Sequence, residues 1–132
     1  MISKPTDSEL EILHILWEMG PSTVRTVNDR LNEQRRNSQS VKDSAGYTTT
    51  LKLMQIMFEK GLVTRVEEGR THAYTASVRE SDTQGLLLQQ FVDHAFRGST
   101  ARLVMQALGN HEASTEELDE IKALIAKIEQ GK

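Results

Sequence analysis

Residues 47–76, YTTTLKLMQIMFEKGLVTRVEEGRTHAYTA, change their hydrophobic period once, and that change decides the fold. Across 47–60, Tyr47, Thr50, Leu51, Met54, Met57 and Phe58 recur at offsets of three and four, the spacing of one helix face. Thr48, Thr49, Lys52, Gln55 and Glu59 fall on the opposite face. Gly61 follows, where a left-handed residue ends a helix at least cost. Residues 62–67 then alternate apolar and polar, Glu68-Gly69-Arg70 is turn material, and residues 71–76 alternate again. The stretch predicts a helix followed by a two-stranded β-hairpin.

Two helices are expected ahead of it. Thr6-Asp7-Ser8-Glu9 has the form of a capping box, with Leu10, Leu13 and Trp17 at helical spacing and Ile12 and Leu16 beside them. Gly20-Pro21 stops that helix. The next starts at Ser22 or Thr23 and carries a narrow stripe of Val24, Val27 and Leu31. Residues 32–46 hold only Val41 as a branched apolar residue and read as a long polar loop, with Arg35, Arg36 and Lys42 in it. Beyond the hairpin the pattern is helical again, over 82–97, over 101–108, and from a second capping box, Ser114 with Glu117, onward.

Three helices and then a hairpin is the element order of a winged helix–turn–helix. The expected fold is therefore mainly α with a small β-hairpin: a winged-helix domain over 1–79 and a helical dimerisation region over 80–132. Physical logic favours DNA as the partner of the first part. If the first two helices pack behind the third, one face of the third stays open, and a helix of about 10–12 Å diameter fits the B-DNA major groove. Thr48 and Thr49 are short enough to let the backbone approach, and Lys52 and Gln55 reach a phosphate or a base edge. Arg65, Arg70 and His72 cluster on the hairpin where a wing would meet the phosphate backbone, and Arg25 on the second helix joins this DNA-binding set. The same residues also fit a winged helix that contacts only protein.

Charge segregation supports the split. The 132-residue chain has a formal net charge of −3, yet the sign is not uniform. Residues 22–79 carry ten Lys/Arg against six Asp/Glu, whereas 1–21 carry one against four and 80–132 five against nine. A basic middle lies between two acidic ends, as expected if the middle meets a polyanion and the C-terminal part faces away from it. No apolar run approaches the roughly 18 residues of a membrane span, residues 1–10 lack a signal-peptide stretch, and cysteine is absent. These features favour the cytoplasm. His14, His72, His94 and His111 form no metal-binding spacing, and no nucleophile or phosphate-loop motif occurs, so neither an enzyme, a metal site nor a cofactor is expected. His14, beside core positions of the first helix, reads as structural.

The C-terminal helices carry more apolar side chain than so short a segment can bury by itself. Leu86, Leu87, Phe91, Phe96, Leu103, Leu108, Ile121, Leu124 and Ile128 are the expected dimerisation residues. Burial is worth roughly 1.5–3 kcal/mol for each large apolar side chain, and a second copy of the same surface supplies it.

Several ordered blocks carry a family resemblance: Thr6 to Leu13 with Leu16-Trp17, Gly20 to Arg25, Tyr47 to Leu51, Glu59 to Val63, Phe96 to Ser99, LVMQAL at 103–108, and Thr115 to Leu118. Together they resemble the penicillinase-repressor (BlaI/MecI) family over nearly the whole chain. The resemblance implies a transcriptional repressor that binds palindromic operators as a homodimer. It also implies DNA contacts at Thr48, Thr49, Lys52 and around Arg70, and relief by a membrane-embedded sensor metalloprotease that clips the C-terminal part. This chain departs from the pattern in its longer loop before the third helix. It also has Gln106-Ala107 where the staphylococcal members have a protease-sensitive Asn-Phe bond, and it lacks the cysteines of the copper-responsive branch.

Overall fold

A computed structural model describes residues 4–37, 44–110 and 112–131. In chain order these form α1 (Asp7–Met19), α2 (Val24–Asn37), α3 (Tyr47–Glu59), β1 (Val63–Glu68), β2 (Thr71–Ala76), α4 (Glu80–Ala95), α5 (Thr100–Asn110) and α6 (Thr115–Gln130). The chain divides into two compact units, Met1–Leu87 and Leu88–Lys132. The division falls inside α4, whereas the sequence suggests 79/80, where α4 begins.

In the first unit, local signals set each helix end. Thr6 caps α1 by accepting from the Glu9 backbone N–H at 3.2 Å, and Glu9 Oε1 accepts from the Thr6 N–H at 2.9 Å. Thr23 caps α2 through the Thr26 N–H. The end of α3 is a Schellman turn: the Gly61 N–H donates to Phe58 O and the Leu62 N–H to Met57 O, with Gly61 at φ +81°. That conformation strains any side-chain-bearing residue. Leu62, now buried, leads directly into β1.

β1 and β2 pair antiparallel, Val63 opposite Ala76 through Glu68 opposite Thr71, leaving Gly69 and Arg70 as the two-residue tip. Gly69 has φ +63°, as a tight hairpin with glycine at its first turn position requires. Ser22, in the α1–α2 connection, pairs with Tyr74 through two backbone hydrogen bonds of 2.8 and 3.0 Å and gives the hairpin a third partner.

The core joins α1, α2, α3 and the hairpin. Ile12, Leu13, Ile15 and Leu16 meet Val24, Val27 and Leu31, with Met54, Met57, Leu62, Val63 and Tyr74 closing the other side. Glu9 is buried in it, and Lys60 Nζ donates to Glu9 Oε1 at 2.6 Å, so the α1 capping residue also ties down the end of α3. The Trp17 indole donates to Val78 O at 2.9 Å, holding the chain that leaves the hairpin against α1.

Three expectations are corrected here. The polar stretch from 32 is not loop from its start, because α2 continues to Asn37. Gln, Glu and Arg are good helix formers, and polar partners replace apolar ones: Arg35 pairs with Glu11 of α1 at 3.4 Å. Arg35 and Arg36 therefore belong to α2, and Lys42 lies outside the described residues. Tyr47 and Phe58, expected in the core by spacing, are 45% and 38% exposed. His14 is also exposed, with Nδ1 3.8 Å from a Glu80 carboxylate oxygen and its ring edge-on to Trp17.

In the second unit, Val92 of α4 is buried, while α5 and α6 bury none of their described residues. Arg97 and Gly98, both at positive φ, separate α4 from α5. Ser114 caps α6 with Glu117 in a reciprocal capping box, as expected.

Candidate nucleic-acid interface

The interface begins with the two sides of α3. Thr50, Met54 and Met57 are buried, whereas Thr48, Thr49, Lys52, Gln55 and Glu59 are exposed. Thr48, Lys52, Gln55 and Glu59 are spaced four, three and four residues apart, one line along a helix of 13 residues, roughly 20 Å. The cation of that line, Lys52, lies in its first half, and the carboxylate, Glu59, at its end. The N-terminal half is thus the more electropositive end of the line, and the helix N-terminus adds its own partial positive charge there. Gly46, the N-cap, contributes no side-chain cap to the first amides.

Beside that half of α3 lies a cleft of about 390 Å³ bordered by the start of α2, Tyr47 and the hairpin tip. Arg25, Arg70 and His72 all line it. The structure thus brings these three expected residues together at the open end of α3. The Arg25 guanidinium sits 5.8 Å from the centroid of the Tyr47 ring, and His72 meets Tyr74 edge-on at 6.4 Å.

Arg65 is placed differently. Its guanidinium lies 4.0 Å from the centroid of the Phe58 ring, near the end of α3 and away from the hairpin tip. There it covers an otherwise bare ring, a cation–π contact, instead of joining Arg70. The hairpin also carries carboxylates: Glu67 stands opposite His72 in the register and Glu68 opposite Thr71. Arg70, exposed at the tip, is the permanent cation the wing presents toward the cleft.

Sequence reasoning missed Tyr47 and Ile56 as parts of this surface. Tyr47 shares the core spacing but stands on the first residue of α3, beyond the packing of α1 and α2. Its neighbour across the cleft, Arg25, is in the DNA-binding set expected from the sequence, but spacing alone does not show that it meets Tyr47. Ile56, 39% exposed, follows Lys52 by one turn and gives the open side an apolar spot.

The sequence profile of the penicillinase repressor family matches residues 5–127. The chain belongs to the penicillinase repressor family. Among its relatives in that family, the penicillinase repressor of Bacillus licheniformis is 25% identical over 125 residues, covering 94% of this chain and 91% of that protein. The methicillin resistance regulatory protein MecI of Mammaliicoccus sciuri is 20% identical over 122 residues, covering 92% and 93%. Among solved structures, the DNA-binding domain of the repressor BlaI superposes with a TM-score of 0.51 at 23% identity, over 62% of this chain and 90% of that one. That likeness shows the winged-helix fold over the matched part of this chain.

Proposed function

We propose that the chain is a DNA-binding transcriptional repressor acting as a homodimer on palindromic operators. Each copy lays the N-terminal half of α3 in the major groove and brings the hairpin tip to the phosphate backbone. One observation carries the reading: Thr48, Thr49, Lys52 and Gln55 stand together on the open side of α3, while its other side closes the core. In this arrangement Thr48 and Thr49 meet base edges or thymine methyls, and Lys52 and Gln55 contact a phosphate or a base. Arg25, Arg70 and His72 flank the backbone.

The apolar surface of the second unit supports the homodimer. Phe91, Met105, Leu124 and Ile128 are 53%, 74%, 57% and 56% exposed, more large apolar surface than a lone chain keeps in water without aggregating. Two heads related by a two-fold axis read two half-sites, spaced by about one helical turn or a multiple of it. Repression then needs no chemistry, since a dimer seated over a promoter excludes polymerase. Relief by a membrane-embedded sensor metalloprotease fits the same scheme. A cut in α5 would separate α6 from the rest of the dimer surface, but the bond at the position of the staphylococcal Asn-Phe site is Gln106-Ala107, exposed on α5, so the scheme needs a protease of different specificity.

The test is duplex enrichment from a randomised pool by the full chain, followed by a salt titration of binding to the enriched duplex. The expected result is a palindrome whose affinity falls steeply with salt, at a slope set by roughly 6–10 phosphates per dimer. Failure to enrich any duplex at low salt would instead favour a winged helix that serves only protein contacts.

A further inference from the structure

Two asparagines stand one turn apart on α2, Asn28 and Asn32, and both turn toward α3. Asn28 is buried, and its Oδ1 accepts from the Thr50 hydroxyl at 2.6 Å. Asn32 holds Ala45 by both of its backbone groups: Oδ1 accepts from the Ala45 N–H at 2.6 Å, and Nδ2 donates to the Ala45 carbonyl at 3.0 Å. A side-chain amide paired in this way with one residue's backbone fixes that residue's orientation as well as its position.

Ala45 immediately precedes Gly46, the N-cap of α3, which has no side-chain cap of its own. The start of α3 is therefore set from α2, by Asn32. Its first turn is set from α2 as well, by Asn28 through Thr50. Asparagine is a poor residue for a helix interior, and an apolar residue opposite Thr50 would serve packing alone. The two amides do what packing does not, because apolar contacts are non-directional. They fix the rotation of α3 about its axis. Successive helix residues are about 100° apart, so a turn of one position would swing Thr49 off the open side.

We propose that Asn28 and Asn32 are positioning residues for sequence reading, holding Thr48 and Thr49 in register with the groove. The proposal rests on the DNA reading above. It separates discrimination from affinity: a loosened α3 still presents its charge to phosphates but no longer places its threonines on base edges.

The experiment compares binding to the duplex enriched by the unaltered chain and to a scrambled duplex of the same composition, for Asn32→Ala, Thr50→Val and Thr50→Ser. Asn32→Ala and Thr50→Val are expected to lose about tenfold or more in affinity for the enriched duplex, the scale of a mismatched base pair. Both are expected to keep scrambled-duplex affinity within about twofold and to keep the salt slope. Thr50→Ser, which retains the hydroxyl donor, is expected to discriminate like the unaltered chain. If Asn32→Ala melts below the assay temperature, the nearly isosteric Thr50→Val carries the same comparison. The positioning role is overturned if the unaltered chain discriminates and both variants discriminate equally well, or if they lose both affinities in parallel. Failure of the DNA reading shows separately, as an absence of discrimination in the unaltered chain itself.

Discussion

In the first unit, Ile12, Leu13, Ile15, Val27, Met54 and Met57 are sealed from water, two capping residues close the helix starts, and a buried carboxylate and two asparagines tie α1 and α2 to α3 and the residues that flank it. In the second unit, α5 and α6 have amphipathic sequences of comparable quality, yet none of their described residues is buried. Local signals are equally good in both, down to matching capping boxes on α1 and α6. What differs is closure. The first unit has a third layer, the hairpin, to cover the side of the helices that would otherwise face water. Among the described residues the second has no such layer, and its apolar stripe stays exposed, the surface that the proposed homodimer would cover. The contrast shows that capping and periodicity specify helices, whereas only the count of available layers tells whether a segment is complete as a monomer.

That difference can be broken from either side. The largest effect is expected from Phe91→Asp, which places a charge on the open apolar stripe beside Phe96, whose ring lies 5.7 Å away. Sedimentation should give a monomer mass with the head still folded, and operator affinity should fall on the order of a hundredfold as the linked second half-site is lost. An unchanged mass would remove the stripe from the dimer interface. On the closed side, Glu9→Ala should lower head stability by roughly 2–3 kcal/mol, since it leaves Lys60 without its carboxylate and opens the α1 capping box. Chemical denaturation should show this as a shift in midpoint at constant dimer mass, the reverse of the Phe91→Asp pattern. The smallest effect belongs to the hairpin tip. Arg70→Ala should weaken enriched and scrambled duplexes alike and reduce the salt slope by about one, as for one lost phosphate contact. A loss confined to the enriched duplex would make Arg70 a base reader.

The two ends of legibility lie in the same helices. α3 and the hairpin were readable because their period changes at Gly61 and because the turn glycines mark it. The order of elements then followed, and so did the open threonine side. The far end of α2 was not readable: after Leu31 it has no apolar stripe, and its partners, the Glu11 carboxylate and the Ala45 backbone, are met through polar groups that periodicity does not register. Tyr47 and Phe58 misled for a related reason. Spacing assigns a residue to a face, but at the first and penultimate residues of α3 that face has run past its neighbours, so the rings are met by arginines instead of core. Arg65 was grouped with Arg70 by proximity in sequence. Strand alternation puts it on the same face as the buried Tyr74, and the nearby Phe58 ring decided its place.

The account depends on the threonine-bearing side of α3 being the part that reads DNA. Thr49→Asp tests it most directly, because Thr49 is exposed and the change adds a negative charge at the helix N-terminus without touching the core. The prediction is near-complete loss of binding to the enriched duplex, measured by fluorescence anisotropy, with sedimentation mass and melting transition unchanged. Binding at unaltered affinity and salt slope would show that the duplex is read by another surface.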